Sequence, residues 1–273
     1  MTLPPALRER LCAACGLDPA VLGEAALRSA WSRRLAAANL PSPGAFELLL
    51  ENSPGDFDAL VEEVLVSESW FFRDHAPFAF LEKWAREQWL PAAAGRALRV
   101  LSVPCAAGQE PWSIAMTLRD AGLRDGEWVV CAGDLSQRAL DHARAAVYPD
   151  SAFRGSDAAG REHHFEAAGP RLRRVREDLR GAVRWFRCNL LDPDFFRHEE
   201  PFEIVFCRNA LIYFDAAARR RAIANLRRCL ASGGLLFAGH ADGAALIEAG
   251  FTTFGPPGAF VFRLRAGEEA PKR

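Results

Sequence analysis

The segment RVLSVPCAAGQEPW, residues 99–112, constrains the fold more than any other stretch of this 273-residue chain. Its apolar run is typical of a buried strand, its small residues predict a tight turn, and Glu110 and Pro111 predict the start of a helix. In an open α/β sheet, ligands bind outside the carboxyl ends of the strands, and a turn of small residues lets a nucleotide approach the backbone. The turn alone is equally compatible with an ordinary strand-to-helix loop. GxGxxG and GxxxxGK[ST] are absent, which argues against a dinucleotide fingerprint and a P-loop.

Strands and helices alternate from residue 97 onwards, which predicts a mainly parallel sheet. Residues 251–254 and 259–264 are predicted to add an antiparallel hairpin at the sheet edge. Residues 171–187 alternate apolar residues with arginines, and we predict a small antiparallel excursion there, within a β-subdomain of about residues 149–187. Its basic face is either solvated or a docking surface for an acidic protein.

The part before the sheet is predicted to be helical. Residues 1–75 are expected to form a small domain, with helices at 24–39 and 56–67. A linker, residues 76–96, is then expected to lead to the α/β domain, residues 97–265, and residues 266–273 form a polar tail.

Two arginine positions in the helical part are unusual. At 100° per residue, Arg34 falls in the apolar sector of its helix with Leu27 and Trp31. It is either a snorkelling side chain at the rim of a small core or a positive charge facing an acidic substrate. Arg73 follows the pair Phe71 and Phe72 at the boundary between the two predicted domains, where it can be held at the mouth of a cleft.

Asp134 ends the predicted second strand, 26 residues after Gly108. A carboxylate in that place can accept hydrogen bonds from both ribose hydroxyls of an adenosine cofactor. The alternative is that Asp134 caps the helix that begins near Ser136. The turn and the acidic strand tip together favour a nucleoside-binding sheet.

Composition sets limits on the class of protein. With 25% charged residues, 50% apolar residues and a net charge of −1, the chain is typical of soluble globular proteins, and we expect neither nucleic-acid binding nor membrane insertion but a cytoplasmic location. Cys12 and Cys15 form a CxxC without a second pair, so we interpret the seven cysteines as small buried hydrophobes and predict no metal site.

SESWFFRD, CAAGQEPWSIAM, CRNALIYFD and GGLLFAGHAD resemble the motifs of the CheR-type chemotaxis receptor methyltransferases, across nearly the whole chain. The resemblance implies an α/β fold: a Rossmann-like class I methyltransferase domain with a small antiparallel β-subdomain, preceded by a small all-helical domain. It also implies methyl transfer from S-adenosylmethionine to glutamate side chains of a chemoreceptor's cytoplasmic helical domain, giving methyl esters and S-adenosylhomocysteine.

The resemblance further implies residue roles. Arg73 and Tyr213 would be catalytic, and Arg33 and Arg34 would meet the receptor. The residues implied to bind the cofactor are Ser67, Ser69, Arg73, Gly108, Glu110, Asp134, Asn189, Leu190, Arg208 and Asn209. A glutamate substrate is already ionised at neutral pH, so the chemistry needs no general base.

The segment GPRLRR resembles a short β-subdomain loop, which implies an enzyme that does not depend on a receptor C-terminal pentapeptide, and we expect a monomer. A non-catalytic adaptor that binds S-adenosylmethionine remains the alternative. The missing glycine fingerprint disfavours a nicotinamide-dependent dehydrogenase, and the arginine-bearing helical domain argues for a helical protein substrate rather than RNA or a small molecule.

Overall fold

The computed structural model describes residues 3–65, 68–154 and 160–265 and contains two compact units. The smaller unit comprises Met1–Val66 and Tyr213–Arg220, and the larger comprises Ser67–Ile212 and Arg221–Arg273. Within the described ranges, no helix combines the length and the apolar character that crossing a membrane requires.

The smaller unit is helical, as its apolar periodicity predicts. Its first five helices are α1 Pro5–Cys15, α2 Pro19–Leu22, α3 Glu24–Ala38, α4 Pro43–Asn52 and α5 Pro54–Val64. Pro43 and Pro54 each stand at the beginning of a helix, directly after a serine that caps it. Trp31 and Phe46, both fully buried, pack with ring centroids 4.9 Å apart in the core of this unit.

The larger unit alternates strands and helices. Its strands are β1 Leu98–Ser102, β2 Trp128–Asp134, β3 Val147–Pro149, β4 Phe165–Ala167, β5 Leu172–Val175, β6 Val183–Arg187, β7 Phe202–Cys207, β8 Leu230–Ala238, β9 Phe251–Phe254 and β10 Val261–Leu264. Its helices are α6 Ala76–Trp84, continued by the π-helical Ala85–Trp89, then α7 Leu90–Ala92, α8 Gln109–Asp120, α9 Gln137–Ala145, α10 Glu177–Arg180 and α12 Gly243–Glu248. Helix α11 spans Ala216–Cys229.

Seven of the strands form one sheet in the order β6-β2-β1-β7-β8-β10-β9. The neighbours from β6 to β8 pair in parallel, whereas β10 pairs antiparallel with both β8 and β9. The predicted parallel sheet and its terminal hairpin are therefore confirmed. The strands β1 and β7 are buried along most of their length, as expected for a sheet covered on both faces.

The β-subdomain is smaller than the sequence pattern predicts. Strands β3, β5 and β4 form a separate antiparallel sheet in that order. Residues 183–187, which we assigned to the antiparallel excursion, instead form β6 and pair in parallel with β2. Trp185 packs against Trp112 of α8, with ring centroids 5.3 Å apart. The alternation of an edge strand is the same whether its partner is parallel or antiparallel, so the local pattern does not reveal the partner.

The expected linker and the expected boundary near residue 75 also differ from the structure. Residues 76–92 are helical, and Phe78, Leu81 and Trp89 belong to the apolar core of the larger unit. Pro77 and Pro91 stand in the first turns of α6 and α7, where proline is compatible with a helix. The spacing of the buried residues is helical and could have identified this segment as a core helix.

Candidate functional site

Polar residues of four adjacent strands meet at one edge of the large sheet. Ser102 ends β1, Asp134 ends β2, Asn189 follows β6 and Arg208 follows β7. These strands are neighbours in the order β6-β2-β1-β7 and all are parallel, so their carboxyl ends share an edge. This is the edge where open α/β sheets bind ligands.

The loop after β1 is built from small residues held by backbone hydrogen bonds. The N–H of Gly108 donates to the carbonyl of Cys105 over 3.0 Å, and the Tyr148 hydroxyl donates to the Ala107 carbonyl over 2.7 Å. Gly108 has φ of 91°, and a Cβ on it would lie 2.6 Å from the Cβ of Ala143 in α9. The close approach that demands glycine here is therefore to a neighbouring helix, a requirement that the sequence interpretation did not foresee.

We expect Gly108→Ala to destabilise the protein by about 1–3 kcal/mol more than Gly126→Ala, measured by denaturant unfolding. Both glycines have positive φ, 91° and 86°, so both substitutions strain the backbone. Only Gly108 is crowded, because a Cβ on Gly126 would meet nothing within 4 Å. Equal losses for the two variants would show that α9 gives way and that the contact does not require glycine.

Asp134 is 8% exposed and holds the loop after β1. Its Oδ2 accepts a hydrogen bond from the N–H of Ala106 over 2.8 Å, and its Oδ1 accepts one from the N–H of Ser136 over 2.9 Å. The N-cap of α9 is Ser136, whose hydroxyl accepts from the N–H of Ala139, so Asp134 precedes the cap rather than forming it. A carboxylate can accept several hydrogen bonds at once, so a residue that holds this loop can also be a candidate for binding a ligand hydroxyl.

A buried cluster of charges adjoins this loop. Arg208 has a side chain only 2% exposed; its Nη2 donates to Asp74 Oδ2 over 2.6 Å, and its Nη1 reaches Glu110 Oε2 at 3.5 Å. Ser102 Oγ donates to Glu110 Oε1 over 2.8 Å. Burial raises the pKa of the Glu110 carboxyl above its ordinary value, and Arg208, Ser102 and the charge of Arg73 counteract that rise in part.

The residues around Arg73 hold unsatisfied polar atoms. The Arg73 guanidinium lies over Trp70, with Cζ 4.1 Å from the ring centroid. Its Nε and the Oε1 of Gln109, the first residue of α8, are buried and have no hydrogen-bond partner among the described residues. Buried polar atoms are normally paired. Unpaired arginine Nε atoms also occur away from this site, at Arg99, Arg180 and Arg228, so the unpaired Oε1 of Gln109 is the more specific candidate for contact with a ligand.

Several residues here have positive φ although they are not glycine. They are Phe72 at 53°, Asp74 at 65°, His75 at 34°, Ala106 at 47° and Asn209 at 58°. Such conformations are costly and are commonest at functional sites, where the surrounding structure enforces them. Four of them lie in the two segments that flank Arg73 and Gly108, and Asn209 follows Arg208 after β7. Six other non-glycine residues with positive φ lie elsewhere in the described chain, so these five agree with a binding role without establishing it.

The segment after β6 is held by hydrogen bonds that involve the side chains of Asn189 and of Asn225 in α11. Asn189 Oδ1 accepts from the N–H of Leu191 over 2.9 Å, which forms a tight turn. Asn225, only 3% exposed, donates to the carbonyls of Leu190 and Asp192. Asn225 is not among the predicted site residues, although a polar residue on an otherwise apolar helix face is a signal visible in the sequence.

Five predicted site residues remain: Ser67, Ser69, Arg33, Arg34 and Tyr213. Ser69 is half-buried in the segment before Arg73, and Ser67 falls outside the described residues.

Arg33, Arg34 and Tyr213 belong to the smaller unit. Arg33 is exposed and pairs with Glu63 at 2.7 Å, whereas Arg34 is half-buried and pairs with Asp56 at 3.5 Å. The Tyr213 carbonyl accepts from the N–H of Asp18.

The CxxC thiols are in surroundings that disfavour redox or metal chemistry. Cys12 and Cys15 are both buried, and Cys15 Sγ donates to the carbonyl of Leu11. Burial raises the pKa of Cys12 and raises that of Cys15 to about 11, which keeps both as neutral thiols.

A cavity of about 1030 Å³ lies at the opposite edge of the large sheet. It is lined by residues at the amino ends of the strands, including Arg99, Trp128, Arg184 and Glu203. Its size is sufficient for a cofactor, but parallel α/β sheets bind ligands at the carboxyl edge. The edge with Asp134 and Arg208 is therefore the candidate site for ligand binding.

Comparison with known proteins identifies similar sequences. The family model described as CheR methyltransferase, SAM binding domain, matches residues 67–253. The chain is 40% identical over 258 residues to the probable biofilm formation methyltransferase WspC of Pseudomonas aeruginosa. The aligned region covers 94% of this chain and 60% of that protein. The chain is 33% identical over 229 residues to the chemotaxis protein methyltransferase of Escherichia coli, which covers 82% of this chain and 78% of that protein. A Pseudomonas putida WspC matches over 61% of its length, so this chain spans about three fifths of the two WspC proteins.

Proposed function

Because the chain belongs to the CheR family of methyltransferases, we propose that it transfers the methyl group of S-adenosylmethionine to glutamate side chains in the cytoplasmic helical domain of a chemoreceptor. The observation that carries the proposal is the meeting of Asp134, Glu110 and Arg208 at the carboxyl edge of the sheet, inside the range that the family model matches. The products would be glutamate methyl esters that serve chemosensory adaptation. The reaction would take place in the cytoplasm, with the enzyme a monomer and no nucleic acid involved.

The residues at this edge fit S-adenosylmethionine. The Asp134 carboxylate, at the tip of the second strand, would accept hydrogen bonds from the ribose hydroxyls. The unpaired Nε of Arg73 suits the carboxylate of the methionine part, and the Glu110 carboxylate and the unpaired Oε1 of Gln109 suit its amino group. We assign Ser69, Gly108, Asn189, Leu190, Arg208 and Asn209 to cofactor binding as well. Ser67, which lies outside the described residues, keeps the same assignment from the resemblance alone.

S-adenosylmethionine supplies a methyl group bonded to a positive sulfonium. The chain's own residues would bind the two reactants in line and exclude water. A glutamate carboxylate and a sulfonium lose charge as they react, so a dry cleft favours the step relative to water. Positioning of this kind can supply up to roughly 7–11 kcal/mol of the barrier. No catalytic base is required, because the glutamate carboxylate is already ionised at neutral pH.

For Arg73 we propose a catalytic role, shared with Tyr213, in orienting a carboxylate. We expect Arg73→Lys to lower kcat/KM roughly tenfold or more, because an ammonium cannot replace the planar fork of the guanidinium. Steady-state assays would measure the loss. Arg154→Lys is the matched control, since Arg154 also contacts Trp70, at 5.2 Å, but is exposed. Unchanged turnover of Arg73→Lys would remove this role.

Arg33 and Arg34 on α3 are proposed to meet acidic side chains of the receptor. Charge reversal of either is expected to raise the KM for the receptor by about three- to tenfold, because interfacial charges steer association. Calorimetry should find unchanged S-adenosylhomocysteine affinity. Arg28→Glu, on the same helix and also exposed, is the control. Because Arg34 pairs with Asp56, its variant also needs a melting measurement; equal damage to both assays would identify a structural arginine.

The methyltransferase proposal is tested with methyl-labelled S-adenosylmethionine and the cytoplasmic domain of a chemoreceptor. Base-labile label on the receptor supports it. Binding of S-adenosylhomocysteine without any transfer would instead favour the non-catalytic adaptor.

We further propose that methylation does not depend on a receptor C-terminal pentapeptide. The connection between β4 and β5 is short, residues 168–171, which leaves little loop for holding a peptide. Receptor domains with and without such a pentapeptide should then be methylated at the same rate. A clear advantage for the domain that carries it would contradict this.

A further inference from the structure

Three potential metal ligands converge at the far end of α8. His164 Nε2 lies 2.8 Å and His163 Nε2 3.4 Å from Asp120 Oδ1, and the three ligand atoms all lie within 4.8 Å of one another. Asp120 is the last residue of α8, a helix of 12 residues that begins at the candidate cofactor loop. A helix of that length is roughly 18 Å long, so the cluster is separate from the methyltransferase site. We propose that Asp120, His163 and His164 bind one Zn²⁺ ion.

The donor atoms suit zinc in kind, and the distance between His163 and Asp120 suits it in spacing. Two imidazoles and one carboxylate are typical zinc ligands, at about 2.0–2.2 Å from the ion. Tetrahedral ligands at such distances are separated by roughly 3.3 Å, close to the 3.4 Å between His163 Nε2 and Asp120 Oδ1. The 2.8 Å hydrogen bond from His164 would open by about half an ångström. The fourth position would hold a water molecule.

The surroundings orient the ligands and permit entry. Arg161 Nη1 donates to Asp120 Oδ2 over 2.6 Å and thereby leaves Oδ1 turned towards the imidazoles. Asp120 also lies within hydrogen-bond distance of both imidazoles, so its Oδ1 is the atom that the two histidines share. The side chain of His164 is 4% exposed and that of His163 is 60% exposed, which gives one fixed ligand and one at the solvent side.

The balance of charge predicts an exchangeable ion rather than a permanent one. Arg161 also pairs with Glu82 at 3.0 Å, and Arg86 pairs with Glu82 at 2.8 Å. The two carboxylates are thus already offset by two guanidiniums, and binding depends chiefly on the imidazoles.

An ion at this site would connect three segments of the larger unit. It would fasten the end of α8 to the turn Glu162–His164, and Arg161 links that turn to α6 through Glu82. The guanidinium of Arg161 also lies over Phe72, 4.6 Å from the ring centroid, beside Arg73. We therefore expect zinc to raise the melting temperature of the protein.

The test is a zinc titration of the full chain, free of affinity tags and stripped with a chelator. Calorimetry is expected to find one zinc ion per chain, and Co²⁺ is expected to give the visible absorption of a four-coordinate site. His163→Ala should weaken binding at least tenfold and abolish the zinc-dependent rise in melting temperature. His163 is exposed, so this variant should fold.

Two controls make the result decisive. His198→Ala removes another exposed histidine of the same unit and should bind zinc as tightly as the wild-type protein. The double variant Cys12→Ser, Cys15→Ser should also retain binding. The proposal is overturned if the unchanged chain binds no zinc, if His163→Ala binds it equally well, or if loss of the two thiols abolishes binding.

Discussion

Replacing Arg208 by methionine is expected to lower the free energy of unfolding by about 3–5 kcal/mol at neutral pH. The Arg208 side chain is 2% exposed and lies between Asp74 and Glu110. Methionine fills similar space but leaves the Glu110 carboxylate, 12% exposed, without its buried cation. Denaturant unfolding measures the loss. The control Arg86→Met removes an exposed pair with Glu82 and should cost less than about 1 kcal/mol.

The pH dependence of this loss distinguishes charge from packing. Burial already raises the pKa of Glu110 in the folded protein, and removal of Arg208 would raise it further. A carboxyl with a raised folded pKa favours the folded state below its unfolded pKa, near ~4.3, and that stability is lost as pH rises through the folded pKa. The loss of unfolding free energy caused by Arg208→Met should therefore become smaller as pH falls towards about 5. It should also shrink in the double variant with Glu110→Gln, whereas a deficit independent of pH would indicate lost packing.

Asp134→Asn is expected to weaken S-adenosylhomocysteine binding by roughly 10- to 100-fold, measured by calorimetry. The amide keeps the shape of the carboxylate but removes its charge and one of its two acceptor oxygens. Ala106 and Ser136 already donate to the two carboxylate oxygens, so one of these N–H groups would face an amide NH₂. The loss would then combine a weaker ribose contact with a loosened loop.

A melting measurement without ligand separates these two contributions, because a loosened loop lowers the melting temperature whereas a weaker ribose contact does not. Asp141→Asn is the control, because Asp141 is an exposed carboxylate of α9 that pairs with Arg144. If Asp134→Asn bound S-adenosylhomocysteine as tightly as the unchanged chain, Asp134 would not be a ribose ligand.

Local sequence patterns predict the strands that lead into this site. The apolar runs of β1 and β2, the small residues before Gly108 and the acidic residue at the tip of β2 are all continuous in sequence. The position of Asp134 at the carboxyl edge follows once the sheet is parallel. The terminal hairpin was predictable for the same reason, because its turn residues separate two short apolar runs.

Features that depend on distant parts of the chain were not predictable. Arg208 and Asp74 are 134 residues apart, and no local pattern pairs them. The partner of β6 is chosen by the sheet as a whole, since Val183 and Trp185 alternate with arginines whichever strand lies beside them. The need for glycine at position 108 arises from Ala143, on a helix that the sequence alone does not place against the loop.

The most direct test of the account is to incubate the purified chain with S-adenosylmethionine and a chemoreceptor cytoplasmic domain, then map methyl groups by peptide mass spectrometry. The proposed function predicts methyl esters on glutamate side chains of the receptor, formed by the unchanged chain and greatly reduced with Asp134→Asn. Methyl groups on other residue types, or none while S-adenosylhomocysteine binds normally, would contradict the assignment of this chain as a receptor glutamate methyltransferase.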